Sequence, residues 1–541
     1  MKKTSSSSSK TITLFLCSLW IITILYGEMI SFWIPYFYTC SWPPLPSSSK
    51  TINDTATLGA PLKIAVLADP QFMDKTSLGL APKSLALEVI QFYTDLYMRR
   101  SILESILPFK PDVILFLGDY FDGGPILSDE EWKESMNRFR HVFNLDSDGR
   151  CSGIPVYYIP GNHDIGYGSL LSRKPEVISR YEKEFGPRNH QFSVGKVDFV
   201  AVDSQTLDGP KHGSWTSKSW DFVKNLSADS ISNPRVLLTH IPLYRSDWTP
   251  CGVHRSSPII NQRLIRSVQD EDILYQNYLS EETSSLLLDT IKPVLVLSGH
   301  DHDQCSVTHK TRHGHVTEHT LGTISWQQGN LYPSFMLLSA SNNAFTNTTN
   351  PEDAVSTHLC FLPMQTHIYI WYLSQFVFTI LLLLLGPRTG FSFLNRFSDL
   401  LSLIRSVLRK IIAKDGKEKD DNEEYEYEEM WDAEGSMHLI RKSVKNPDVK
   451  VSNDSGSSTR GNVIARPTAK KATSQDLESS FVLKMNTDLN LDDGEKIIQR
   501  SEKIKRKWIV SRLVWTIRVL FVIAAFNIPL YMMLLFKDWI E

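Results

Sequence analysis

Three charge-free apolar runs, residues 12–26, 368–386 and 519–536, divide the chain before any motif is considered. A membrane-crossing helix needs about 20 such residues. The first run continues past Glu28 through Met29, Ile30, Phe32, Trp33, Ile34 and Phe37. Lys2, Lys3 and Lys10 precede it, so a cleaved signal peptide competes with an anchor, but aromatics persist where a small-residue cleavage site belongs, which favours the anchor. Arg388, Arg396, Arg405, Arg409 and Lys410 follow the second run; Lys503, Lys505, Arg506, Lys507 and Arg512 precede the third, which is the weakest because Asn527 and Pro529 lie inside it.

Basic flanks mark the cytosolic side. The expected organisation is therefore a cytosolic N-terminus and first span (1–37), an outside domain (38–360), a second span (361–386), a cytosolic segment (387–508), and a third span with a short outside C-terminus (509–541). Cysteine usage supports it: Cys40, Cys151, Cys251, Cys305 and Cys360 fall outside, Cys17 lies in the first span, and none follows Cys360. The sequons at Asn53, Asn225 and Asn347 also fall outside, and that at Asn453 falls inside. Residues 391–412 alternate apolar and basic groups at helical spacing and are expected along the cytosolic membrane face. Residues 415–434 carry eleven acidic groups against two lysines and, with the polar stretch that follows, read as solvated, disordered chain. With 57 Lys+Arg against 60 Asp+Glu, no polyanion partner is indicated, and nucleic-acid binding is disfavoured.

The outside segment alternates short Val/Ile/Leu runs with amphipathic stretches, an α/β pattern. Five runs stop at groups that can ligate metals. Residues 62–68 end at Asp69, 113–117 at Gly118-Asp119, 156–159 at Gly161-Asn162-His163-Asp164, 236–239 at His240, and 294–297 at Gly299-His300-Asp301-His302. Any one element is commonplace, but five in order, each after an apolar strand, are not. Ligands gather beyond the carboxyl ends of strands in open sheets, so loops far apart in sequence can converge.

This series resembles the calcineurin-like metallophosphoesterase superfamily, whose fold is a four-layer sandwich of two mixed β-sheets flanked by helices, here carried on transmembrane helices. The resemblance implies two divalent metal ions, with Asp119 bridging, Asp69 and His302 completing one site, and Asn162, His240 and His300 completing the other. Carboxylate, amide and imidazole donors suit Mn²⁺, Fe or Zn rather than a thiolate site. His163 is expected to protonate the leaving oxygen, its alternative being phosphate binding alone; Asp164 either orients that imidazole or caps the loop. Arg245 is a candidate phosphate contact, against a structural or surface role. Cys251 and Cys305 are expected to pair. Tyr120 and Trp326 are read as core more readily than as sugar platforms, and His309, His313, His315 and His319 as a strand-turn-strand beyond the site.

One departure narrows the resemblance: Gln71 stands where most of the superfamily has histidine, so one metal is expected to be less tightly held. Ala68-Asp69-Pro70-Gln71, a long helix over 85–107, Gly118-Asp119 with Asp122-Gly123-Gly124, and His240-Ile241-Pro242-Leu243-Tyr244-Arg245 are similar to one branch. That branch comprises the endoplasmic-reticulum phosphodiesterases that remove ethanolamine phosphate from mannoses of glycosylphosphatidylinositol (GPI) anchors, of the fungal cell-division-control and animal post-GPI-attachment type. The similarity covers residues 60–340. It implies a lumenal, manganese-dependent enzyme of the endoplasmic reticulum membrane, with passage to the Golgi left open, acting on GPI-anchored substrates and serving their export. Other readings are a dimetal phosphoesterase for another lumenal lipid or nucleotide, and a non-catalytic trafficking adaptor.

Overall fold

Alternate side chains of residues 62–67 enter different buried clusters, Ala65 and Leu67 one, Ile64 and Val66 the other. That period of two is what a strand buried on both faces requires. The computed structural model describes residues 2–46, 59–168, 174–228, 233–268, 272–343, 350–386, 425–431, 437–443 and 491–540. In it, β1 (Leu62–Leu67), β2 (Val113–Phe116) and β3 (Val156–Tyr158) run parallel. Two antiparallel strands, β12 (Ser334–Ala340) and β13 (Val355–Phe361), extend that sheet on the β1 side. The second sheet is ordered β10 (Cys305–Thr311), β11 (Gly314–Thr320), β9 (Leu295–Ser298), β6 (Arg235–Leu238), β5 (Val197–Ala201), β4 (His190–Val194). Its inner four strands are parallel, and β7 (Leu264–Arg266) and β8 (Ile273–Gln276) pair as a separate antiparallel hairpin.

Ile64, Val66, Leu115, Val236, Leu238 and Leu297 fill the space between the sheets. Outside the first sheet, Tyr97, Met98 and Phe139 bring in helices Leu85–Arg100 and Asp129–Val142; outside the second, Val223, Leu287 and Leu288 bring in Ser214–Ala228 and Glu281–Ile291. The expected four-layer mixed sandwich is the observed one, and each of the five site strands falls within about a residue of its expected limits.

Two elements depart from expectation. The helix expected over 85–107 is α-helical only for Leu85–Arg100, then widens over Ser101–Ile106, tightens over Leu107–Phe109 and stops at Lys110 in the left-handed region. The acidic stretch is not wholly irregular, since Tyr425–Trp431 pairs antiparallel with Met437–Ser443. Residues 391–412 lie outside the described residues.

Among the described residues, three helices are long and apolar enough to cross a membrane: Lys10–Thr39, Gln365–Leu385 and Arg506–Ile540. The chain divides into two compact units, Lys10–Leu385 with Thr516–Glu541, and Met1–Ser9 with Gly386–Trp515. Within the first, helix Leu85–Arg100 and its continuation touch all three apolar helices, through Phe32–Tyr97, Tyr93–Tyr369 and Phe92–Trp539 ring contacts. Arg100 joins Glu28 and Asp538, and Tyr372 donates to Glu28 at 2.9 Å.

Cys251 pairs with Cys305 as expected, and Cys40 pairs with Cys360, joining the end of the first span to β13. Opening the Cys251–Cys305 bridge, which closes 54 residues, is expected to cost about 4 kcal/mol by loop entropy. The thermal unfolding midpoint of Cys251→Ser/Cys305→Ser should fall accordingly, and an unchanged midpoint would refute that contribution.

Candidate metal centre

Every strand that ends in a site residue is one of the parallel ones, so their carboxyl ends meet along one edge of the sandwich. Asp69, Asp119 and Asn162 follow β1, β2 and β3; His240 follows β6, and His300 and His302 follow β9. Donor atoms of Asp119, His240 and His300 lie within 4.8 Å of one another, and so do those of Asp69, Asp119 and His302. Asp119 belongs to both groups, as a carboxylate between two cations must. Asn162 joins the first through Oδ1, 3.0 Å from His240 Nε2, which is itself 3.2 Å from Asp119 Oδ2.

Second partners fix the imidazoles. His240 Nδ1 lies 2.7 Å from the Leu117 carbonyl and His300 Nε2 lies 3.0 Å from that of Gln276. Donation there leaves the opposite ring nitrogen as the lone-pair donor in each. Burial pushes His300 and His302 down to about 3 and 4, so both are neutral and able to ligate at ordinary pH. Burial raises Asp69 to about 8. It disfavours charge on Asp119 too, but His240 and His163 hold that carboxyl well below its usual range. For His240 the downward pull of burial is outweighed by Asp119 and Asp69, which lift it to about 9. Asp69, Asp119, Asn162 and the three imidazoles offer the mixed oxygen and nitrogen donors that a pair of divalent cations takes.

The backbone is strained where it holds these groups. Asp69, Gln71, Asp119, His300 and His302 all have φ between +38° and +72°, a region costing non-glycine residues about 1–3 kcal/mol each and found mainly where function demands it. Space is equally constrained: a Cβ on Gly161 would stand 2.0 Å from Asp119 Oδ1, and one on Gly299 2.8 Å from Asp69 Oδ2.

Of the other expected site residues, Asp164 does not orient His163. Its carboxylate accepts from the backbone N–H groups of Asp119, Tyr120 and Gly161 at 2.7–2.8 Å and so caps the loop. The partner of His163 is Asp122, whose carbonyl meets Nδ1 and whose Oδ1 lies 3.7 Å away; the Gly-Asp-Tyr-Phe-Asp spacing contained that signal. Burial opposes protonation of His163, yet Asp119 and Asp122 raise its pKa above the usual value. Asp122→Asn is therefore expected to lower kcat by about 10–100-fold with metal content unchanged, and loss of metal instead would show that Asp122 acts on the centre itself.

Arg245 is corrected more sharply. It is buried, lies 3.6 Å from Glu318, donates to Thr320 Oγ1 at 2.9 Å and stacks over Tyr278. Its charge is used inside the framework, so it is not the phosphate contact. Gln71 sits at the centre, Nε2 donating to Asp119 Oδ2 at 3.2 Å. Thr323, unforeseen from sequence, donates to the Asp69 carbonyl at 2.6 Å. Tyr120 is core, bonded to the Ile159 carbonyl, and Trp326 packs on Tyr369 of the second span. His309 and His319 lie on the β10–β11 hairpin with His315, and His313 sits at its turn. Cys40, His358 and Cys360 also cluster, but both cysteines are disulfide-bonded.

Residues 62–304 match the calcineurin-like phosphoesterase family. The chain is 28% identical over 363 residues to Cell division control protein 1 of Saccharomyces cerevisiae, covering 63% of this chain and 69% of that one. It is 28% identical over 383 residues to Metallophosphoesterase 1 of Pongo abelii, covering 67% and 86%. A purple acid phosphatase from yellow lupin seeds aligns over 55% of this chain and 54% of its own at 12% identity and a TM-score of 0.33. The five ligand-bearing strand ends fall inside the matched segment, which is a calcineurin-like phosphoesterase domain of the kind that hydrolyses phosphoric esters, in a chain similar to Cell division control protein 1 and Metallophosphoesterase 1.

Proposed function

We propose that this protein is a phosphodiesterase of the endoplasmic reticulum membrane, with its catalytic domain in the lumen, that removes ethanolamine phosphate from a mannose of GPI anchors using Mn²⁺. The observation that carries the branch-level reading is Gln71, an amide donating to the shared carboxylate where most of the superfamily places an imidazole ligand. Two disulfides in the domain between the first two spans support an oxidising compartment, and Asn225, a sequon asparagine, is exposed there. The GPI-anchored protein is the substrate partner in this reading, and export machinery is engaged only downstream.

Asp69, Asp119, Asn162, His240, His300 and His302 would hold two cations, which would supply neutralisation of phosphate charge and a nucleophile stronger than water. The protein's own groups do the rest. Asp119, common to both donor groups, is itself held by the His163 backbone N–H, which donates to Oδ1 at 2.8 Å. His163, anchored through Nδ1 by Asp122 and partly exposed, presents Nε2 to the leaving alkoxide as proton donor.

The deciding measurement is release of ethanolamine phosphate from a defined anchor glycan by the full-length protein with Mn²⁺, beside Asn162→Ala and a generic bis-phosphodiester. Release by the wild type alone is the expected result. Hydrolysis of the generic ester only would discard the anchor assignment, and absence of metal-dependent turnover on both would leave the adaptor reading.

A further inference from the structure

A groove of about 980 Å³ runs between the first two spans and under the catalytic domain. Leu19, Ile22 and Ile34 of the first span, Ile368 and Trp371 of the second, and Phe361 of β13 line it. The spans meet at one seam, where Thr23 Oγ1 donates to Gln375 Oε1 at 2.8 Å and Tyr372 reaches Glu28, and the groove opens beside it. Its walls are helices of membrane-crossing length, so a bilayer surrounding them would present hydrocarbon to it. Its rim is different: His254, Tyr332 and His367 bring polar groups to the edge nearest the catalytic domain, the level at which amphipathic rings sit in a bilayer.

Two loops connect this rim to the metal ligands. His254 precedes Arg255, whose guanidinium donates to both carboxylate oxygens of Asp301, at 2.6 and 3.0 Å, between His300 and His302. Tyr332 ends a segment that begins at Thr323, bonded to the Asp69 carbonyl, and continues through Gln327, bonded to the carbonyl of Gln71. The loops are tied to each other by the Leu331 N–H bond to Ser256 Oγ.

We propose that this groove is the lipid subsite of the enzyme: it receives a hydrocarbon chain of the membrane lipid that carries the phosphodiester, and thereby sets the headgroup's height at the metal centre. This rests on the reading of the substrate as a lipid-tethered phosphodiester. The occupant is the substrate's own lipid, because the rim passes directly into the loops that hold the ligands. A lipid held for span packing alone would need no such continuity.

The test uses full-length protein in phosphatidylcholine vesicles. They contain a dialkylglycerol lipid whose headgroup ends in a p-nitrophenyl phosphodiester, and bis(p-nitrophenyl) phosphate serves as the soluble ester. Filling the groove with Ile368→Trp or Ile34→Trp is expected to lower kcat/KM for the lipid ester relative to the soluble ester at least tenfold, through KM. A ratio unchanged in both variants would overturn the proposal. A diazirine-bearing acyl lipid should label the groove walls and be displaced by the dialkyl ester but not by an equal amount of added phosphatidylcholine; equal displacement by both means a bystander lipid and also overturns it. Labelling needs no turnover, so failure of the groove is separable from failure of the catalytic reading, which the soluble ester reports.

Discussion

Asp119→Asn is expected to lower phosphodiester turnover by about 10³-fold or more and to leave the purified protein short of both metals. The residue is the one carboxylate common to both donor groups, so its loss affects two sites at once. The transition-state charge stabilisation supplied by bound cations is several kcal/mol, and each 1.36 kcal/mol is a factor of ten. Asparagine is the informative replacement because it tolerates the left-handed backbone at φ 54° and keeps the shape, so the fold should survive. An amide cannot provide the charge of a bridging carboxylate. Metal content by mass spectrometry and hydrolysis of a soluble bis-phosphodiester measure the two effects, and retention of two metals with activity within tenfold of wild type would refute the assignment.

Arg100→Met is expected to destabilise the catalytic domain and its docking on the spans by about 3–5 kcal/mol, the cost of leaving buried charges without their partner. Arg100 is 2% exposed, bonds Glu28 of the first span and lies 2.7 Å from Asp538 of the third. Its neighbour Arg99 bonds the Asp538 carbonyl and that of His141. One guanidinium therefore compensates two carboxylates from separate spans. Neutralising all three, as Glu28→Gln/Arg100→Met/Asp538→Asn, should recover much of the loss, since no charge is then left uncompensated. Thermal unfolding in detergent is the readout; a single variant as stable as wild type would show that the ion cluster contributes nothing, and a triple variant no better than the single would show that packing, not charge, explains the effect.

The ligands were legible because each obeys a local rule: an apolar run ends, and the next polar residues stand at a strand's carboxyl end. Asp69, Asp119, Asn162, His240, His300 and His302 lie in that pattern repeated five times, and the family resemblance singled them out from neighbours such as Asp164 and Asp301. The spans were legible for a similar reason, since the bilayer sets length and charge content. Roles that depend on which of two nearby groups reaches a third were not. Asp164 and Asp122 were both within reach of His163 by sequence, and the turn at Gly161 decides between them by sending Asp164 to three backbone N–H groups. Arg245, five residues past His240, looked free to meet phosphate until Glu318 and Thr320, more than 70 positions on, claimed its charge.

The sequence by itself determined the layered α/β class, the ligand types and the three membrane-length runs, all of which follow from local hydrophobic pattern and residue chemistry, whereas the expected pairing of Cys251 with Cys305 became definite only in the fold. The tertiary structure alone decided that two donor groups share Asp119, that Asp122 rather than Asp164 holds His163, and that Arg100 meets partners 72 and 438 residues away. Those depend on side-chain direction and burial after the sheets and spans have packed, and no periodicity in the chain encodes which distant carboxylate will arrive.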